Sequence, residues 1–249
     1  MWRPSNAACS TARFCATAFR HGRIALPFVA AATSLVGCAG LGQPAKNGPE
    51  VSAASESALY LDAVRALIGQ GQYYAAIAHI QEDRRTLGDT PELRLLEAEA
   101  RRNLKQNRTA ESLYQSVLRS SATSPLAGKA HHGLGLLYAD YDLTASLREL
   151  REATRLRPTD AAIRSDTGFA LMQARRFGEA RTELATASEL APDNIAARNN
   201  LLILLFVQGD EAAAARLAAQ AQVDSTLLAR LKAQAQSFKT VKPPTVRTP

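Results

Sequence analysis

The chain has 249 residues, 46% of them apolar but only 6% aromatic, and a formal net charge of +7. Four arginines and no acidic residue precede Cys38, so the rest of the chain holds 26 of the 30 basic residues against 23 acidic ones. Such a nearly neutral remainder, without a run of five basic residues, argues against nucleic-acid binding. The low aromatic content favours helices that pack through small side chains.

Residues 1–37 have the pattern of a signal peptide. A basic, acid-free segment precedes the apolar stretch 24–36, which is shorter than the ~20 residues that a membrane-spanning helix needs. The stretch ends in Leu35-Val36-Gly37-Cys38, which resembles the lipobox of bacterial lipoproteins. The resemblance implies that Cys38 carries the lipid and becomes the new amino terminus. The alternative is that Cys38 is an ordinary small residue following an apolar helix.

The residues after Cys38 predict a tether and a membrane location. Residues 38–56 are rich in Gly, Pro, Ser and Ala and lack an apolar period, which is typical of a flexible linker. Cys9 and Cys15 leave with the signal peptide, so no disulfide is expected in the mature chain. By resemblance to Gram-negative lipoproteins, Ala39 after the cysteine implies a lipid anchor on the periplasmic face of the outer membrane.

A period of 34 residues organises the chain from residue 57 to residue 228. Two turns that begin with Pro158 and Pro192 stand one period apart, with two helix-like runs between them. An Ala-x-x-x-large motif recurs near the same spacing, with starting residues Ala76, Ala110, Ser146, Ala180 and Ala214. The period predicts about five helix-turn-helix units, at about 57–90, 91–126, 127–160, 161–194 and 195–228. A helix at 229–238 caps the array, and 239–249 is expected to be disordered.

One segment identifies the kind of repeat. The sequence His131-x-x-Leu134-Gly135-x-x-Tyr138 resembles the tetratricopeptide pattern W-x-x-L-G-x-x-Y, with His in place of Trp. The resemblance implies an all-α fold, an α-solenoid whose units wind into a right-handed superhelix with the first helix of each unit on the concave wall. Residues expected at the packing positions are Gly135, Tyr138, Gly168, Ala180, Ala187 and Ala214. The third unit is one residue short between Tyr138 and Ser146. A non-repeating helical bundle is the alternative, since alanine-rich sequences match such offsets by chance.

No arrangement of residues that would carry catalysis is found. The chain has no G-x-S-x-G, no phosphate-binding loop and no H-E-x-x-H motif. His131 and His132 are adjacent on a helix and point about 100° apart, so they are expected to pack between helices rather than to bind zinc. We therefore expect no enzyme activity, no cofactor, no metal and no small-molecule substrate.

The repeat register predicts a peptide-binding groove on the first helices of units four and five. Its candidate residues are Ser165, Phe169, Met172, Gln173, Asn199, Ile203 and Phe206. The alternative for the two phenylalanines is that they fill the interior of a tight superhelix. Only Asn200 matches the residue types with which some family members clamp a carboxyl terminus.

The overall plan and residues 168–217 resemble the lipoprotein of the tight-adherence (Flp) pilus system. The resemblance implies a scaffold with protein partners that supports assembly of the outer-membrane secretin and pilus export. A type IV pilotin is the alternative, and an accessory scaffold of outer-membrane assembly or a regulator of cell-wall enzymes would also fit an exported array.

Overall fold

The computed structural model describes residues 53–121 and 125–240. Within these two ranges the chain forms α-helices and no strand, which confirms the predicted all-α fold class. The predicted signal peptide, Cys38, residues 38–52 of the predicted tether and residues 241–249 of the predicted tail lie outside the described residues. In the described ranges, none of the helices combines the length and the apolar character needed to cross a membrane.

The helices follow one another through short connections. Their bounds are α1 Ala53–Gly69, α2 Tyr73–Leu87, α3 Pro91–Asn103, α4 Asn107–Ser121, α5 Pro125–Tyr138, α6 Leu143–Leu156, α7 Ala161–Gln173, α8 Phe177–Leu190, α9 Ile195–Gln208, α10 Glu211–Gln220 and α11 Ser225–Thr240. The first ten form five consecutive helix pairs, each packed on itself and on the next pair. Helix α1 begins inside the predicted tether, and α11 extends at both ends beyond the predicted cap at 229–238.

Polar caps repeat with the period of the array. The Asp160 side chain accepts hydrogen bonds from the backbone N–H groups of Ala162 and Ile163 at the start of α7. One period later, Asn194 accepts from Ala197 at the start of α9. Each cap satisfies backbone donors that the first turn of a helix leaves free, so the two turns noted in the sequence mark helix starts.

The turn inside each unit also recurs, with one exception. In units one, two, four and five the residue two positions before the second helix has a positive φ, between 60° and 77°. These residues are Gly71, Lys105, Arg175 and Gly209. The third unit lacks this left-handed residue, and its Gly135-to-Ser146 spacing is one residue shorter than that from Gly168 to Ala180. Helix α5 ends three residues after Gly135, whereas α7 continues for five residues after Gly168.

Inside a unit the two helices touch at a glycine. A Cβ added to Gly135 would lie 2.6 Å from Leu150 Cγ, and one added to Gly168 would lie 2.5 Å from Leu184 Cγ. Ser146 Oγ also donates a 2.8 Å hydrogen bond to the Gly135 carbonyl. The partner positions are closely packed as well: Ala180, Ala187 and Ala214 have no exposed surface, while Tyr138 is half-buried. A larger residue at either glycine would push the helices apart.

A third glycine makes the contact between two units. Tyr114 of α4 is only 2% exposed, and its ring lies directly against Gly133 of α5. A Cβ at Gly133 would come within 2.6 Å of the Tyr114 hydroxyl oxygen and closer still to the ring. Gly133 therefore allows the preceding unit to pack closely, through Tyr114. Gly135 allows the second helix of its own unit to pack closely, through Leu150.

The last helix packs on the first helix of unit five. Helix α11 packs on α9 through one apolar side that includes the buried Leu231 and Ala235, and Lys232 of α11 pairs with Glu211 of α10 at 2.9 Å. Phe238, near the end of α11, meets Phe169 of α7 edge to face with ring centroids 5.9 Å apart. Helix α11 thus crosses from unit five to unit four.

We predict that Gly133→Ala lowers the free energy of unfolding by about 1–3 kcal/mol, because the added methyl overlaps the Tyr114 ring. Urea denaturation followed by circular dichroism measures the effect. Gly178→Ala is the matched control: a Cβ there has no neighbour within 4 Å, and removing a helical glycine stabilises by about 0.5 kcal/mol. Equal effects of the two substitutions would contradict the proposed contact.

Phe206→Ala is expected to destabilise the chain by about 3–5 kcal/mol, because a buried aromatic side chain is replaced by a cavity. Phe206 is 5% exposed, belongs to the core and lies under Lys232 of α11. Phe169→Ala, at a half-buried position, should cost less. Thermal unfolding of both variants tests this, and a Phe206→Ala protein with unchanged stability would show that the residue is not part of the core.

Candidate functional site

The first helices of the units lie side by side, with α5 joined to α7 by the contact of His132 with Asp166. Neighbouring first helices contact each other in the pairs α1 and α3, α3 and α5, and α7 and α9, while successive second helices do not pair to the same extent. Elements that approach each other more closely lie on the more tightly curved side of a stack. We call the surface formed by α1, α3, α5, α7 and α9 the inner face.

In units four and five α11 covers part of this face, and a cleft of about 270 Å³ remains between α9, α10 and α11. Met172, Ile203 and Phe206, which were predicted to line a groove, have 0%, 2% and 5% of their surface exposed and belong to the same core cluster as Leu231 of α11. Because α11 lies over α9, apolar residues that would face a bound peptide in an open groove are covered by the chain itself. These three residues are core residues in the structure.

The other predicted groove residues lie around the same covered region. Phe169, Gln173 and Asn199 are half-buried, and Phe169 has Phe238 as its aromatic partner. Ser165 is 2% exposed, and its hydroxyl is 3.1 Å from the Asn200 side-chain nitrogen, which donates to it. Ser165 and Asn200 therefore join α7 to α9 across the inner face.

An open surface remains in the first half of the array. Two adjoining clefts of about 350 and 260 Å³ share Glu99 and Arg102 of α3. We call them together the inner cleft. The smaller one runs between α3, α5 and the start of α7, where its wall includes Leu95, Tyr114, Lys129, His132, Leu136 and Asp160. The larger one lies between α1 and α3, beside Arg65 and Asn103.

Several charges around the inner cleft are already paired. His132 Nε2 lies 2.7 Å from an Asp166 carboxylate oxygen, which links α5 to α7, and Arg157 Nε donates to Asp160 at 3.0 Å. Arg65 pairs with Asp62 at 2.6 Å. These contacts hold neighbouring elements in place and leave fewer charges for a ligand.

Arg102, Lys129 and Glu99 are the unpaired charges of this surface. Among the described residues, no oppositely charged group lies within 4.0 Å of the charged atoms of any of the three. The Nε atom of Arg102 is buried and has no hydrogen-bond partner there. Burial raises the pKa of Tyr114, and the positive charge of Arg102 beside the hydroxyl opposes that rise.

The adjacent histidines contact separate carboxylates. His131 Nδ1 lies 2.8 Å from a Glu149 oxygen, while His132 contacts Asp166. The hydrogen bond to His131 is the largest cause of the lowered pKa of the Glu149 carboxyl. Both histidines therefore serve contacts between helices, and the described residues form no cluster of three His, Cys, Asp or Glu side chains that would hold a metal.

The sequence prediction applied the repeat register to units four and five alone. Leu136 follows Gly135 by one residue, as Phe169 follows Gly168. Arg102 follows the buried Ala98 by four residues, as Met172 follows Gly168. The same register extended to units two and three would have identified the inner cleft.

Comparisons with known proteins agree with the helix pairs. No protein-family model matches the chain. The chain is 36% identical over 217 residues to the TPR repeat-containing protein PA4299 of Pseudomonas aeruginosa, a match that covers 86% of this chain and 84% of the relative.

Solved structures share the fold at lower identity. A thermophilic TPR protein of Thermus thermophilus, TTC0263, is 19% identical with a TM-score of 0.54, and the match covers 74% of this chain and 99% of that one. The pilF protein of Pseudomonas aeruginosa is 14% identical with a TM-score of 0.59, over 73% of this chain and 84% of that one. The helix pairs, their period and the PA4299 match together show that the chain belongs to the tetratricopeptide-repeat proteins.

Proposed function

We propose that the chain is a lipid-anchored scaffold that binds a protein partner through the inner cleft. The observation that carries this proposal is the difference between the two halves of the inner face. Helix α11 covers α9, whereas the first three units present a polar surface with unpaired charges. Tetratricopeptide arrays mediate protein–protein interactions, and the exposed half of the inner face is where this chain offers side chains to a partner.

The proposed anchor rests on the amino-terminal sequence. The signal-peptide pattern ends at Cys38 in a lipobox-like motif, and Ala39 follows it. We place the array at the periplasmic face of the outer membrane, with the lipid on Cys38 and the residues before α1 serving as the tether.

The proposed cellular role is assembly of a tight-adherence pilus machine, with the outer-membrane secretin as partner. It is supported by the likeness of residues 168–217 to the lipoprotein of that system and by the combination of a lipobox with a repeat array. The pilF structure adds a likeness of fold alone. A type IV pilus secretin is the corresponding partner under the pilotin alternative.

Cys38→Ser is expected to release the chain from the membrane, because serine has no thiol to accept the lipid. Cell fractionation with immunodetection gives the result: the native chain sediments with outer membranes, and the variant does not. Cys9→Ser, inside the proposed signal peptide, is the matched control and should leave the distribution unchanged. A Cys38→Ser chain that stays wholly in the membrane pellet would refute the lipid anchor.

A photo-crosslinking side chain at Leu136 should capture the partner. Leu136 is half-buried in the wall of the inner cleft, so a benzoyl-phenylalanine there reaches a bound segment without replacing a charge. We expect mass spectrometry of the crosslinked product from cells to identify a pilus secretin.

The same probe at Gln115, an exposed residue of α4, is the control and should capture no secretin. A tight-adherence secretin supports the proposed role, and a type IV pilus secretin favours the pilotin alternative. Recovery of peptidoglycan enzymes alone would contradict both.

A further inference from the structure

We infer that the inner cleft recognises an acidic segment of its protein partner, with a side-chain carboxylate bound by Arg102, the Tyr114 hydroxyl and Lys129. This inference rests on the proposed role of the cleft as a protein-binding surface and adds the chemistry of the occupant. It is carried by two unpaired cations that line one cleft together with the Tyr114 hydroxyl group.

Arg102 is the centre of the surface because it lies on the wall shared by both clefts. Its buried Nε lacks an acceptor among the described residues, and a buried donor without a partner costs free energy. Because Nε is buried, a ligand meets the terminal N–H groups of the guanidinium, and a carboxylate is the group that accepts two parallel N–H bonds from them. Arginine has no acceptor atom, which excludes a cationic donor group as the ligand at this point.

Tyr114 adds a directed hydrogen bond. The Arg102 guanidinium lies beside the tyrosine oxygen and can donate only, so the hydroxyl proton of Tyr114 stays free to donate to a ligand oxygen. The ring is held against Gly133, and the hydroxyl therefore keeps its position when the cleft is empty. A donor fixed in advance loses little conformational entropy on binding.

Lys129 supplies the second charge from the next unit. It is exposed at the edge of the same cleft, and no described carboxylate lies within 4.0 Å of it. Glu99 is the opposing charge and is also unpaired. Asp160 and Asp166 are engaged by Arg157 and His132, so unpaired positive charges outnumber unpaired negative charges by two to one.

One apolar side chain of the wall favours a side-chain carboxylate within a peptide segment. Leu136 is half-buried in the lining of the cleft, whereas Leu95 and Ile163 belong to the same lining but are only 7% and 1% exposed. Leu136 can therefore cover an apolar part of a bound peptide, which a small free anion does not offer.

Fluorescence anisotropy with the purified full chain tests this inference. The probe is a labelled peptide of alternating Glu and Ala with a blocked carboxyl terminus, and its Gln analogue is the neutral control. We expect saturable binding of the Glu peptide, weakened about tenfold by Arg102→Gln and about threefold by Lys129→Gln, as for hydrogen bonds to charged groups and partly exposed ion pairs. Glu99→Gln should strengthen binding, because it removes the repulsion.

Arg108→Gln is the matched control, since Arg108 is an exposed arginine on α4 outside the cleft and should leave the affinity unchanged. Lys129→Gln lies at an exposed position, so it tests the inference even where Arg102→Gln lowers the melting temperature. Equal binding of the Glu and Gln peptides, or an affinity indifferent to Arg102, Lys129 and Glu99, would overturn the acidic-segment inference.

Different results would refute the pilus scaffold role and the recognition of an acidic segment. Capture of a secretin at Leu136 without binding of the Glu peptide would leave the scaffold role intact and refute the recognition chemistry. Charge-dependent peptide binding without capture of a pilus component would support the chemistry and refute the pilus role.

Discussion

The helix pairs of units three and four depend on a close crossing at a residue without a side chain. Leu150 packs against Gly135 and Leu184 packs against Gly168. In both places a Cβ atom on the glycine would overlap the leucine side chain. This contact fixes how the two helices of a unit lie against each other. Units built in the same way then stack in the same way, and each contacts mainly its neighbours. The inner face is the result of that repetition, and its position does not depend on any single polar interaction.

The chain uses the two halves of the inner face differently. In units four and five the face is apolar, and α11 covers it with an apolar side of its own, through contacts that include Phe238 on Phe169. In units one and two the corresponding positions hold charged residues such as Arg65, Glu99 and Arg102, whereas unit three holds Leu136. Polar groups remain hydrated without a covering helix, whereas a contiguous apolar surface gains free energy when it is buried.

Much of the fold could be predicted because its causes are local and repeated. The period identifies the helix pairs, the caps at Asp160 and Asn194 mark helix starts, and the small residues mark the crossings. The packing role of Gly133 could not be predicted, because the ring that occupies the space beside it belongs to Tyr114 of the preceding unit. The sequence shows two glycines in one helix but not which neighbour each of them admits.

The path of α11 is the reason why the predicted groove and the observed cleft differ. The sequence of an amphipathic terminal helix indicates that one side of the helix is apolar. It does not indicate which surface of the array that side will cover. Once α11 lies on α9, Phe206 changes from a candidate ligand contact into a core residue. The charges of the inner cleft do not stand out in the sequence, because Arg102 and Lys129 do not recur from unit to unit.

Tyr114 belongs at once to the core and to the wall of the cleft. Its ring fills the joint between units two and three at Gly133, while the same residue lines the inner cleft beside Arg102. In a stack of units that contact mainly their neighbours, cooperativity of unfolding is set by the free energy of each joint. A group bound at Tyr114 therefore acts on the joint most directly attached to the cleft. A ligand that binds only the packed form of this joint would therefore stabilise the contact between units two and three.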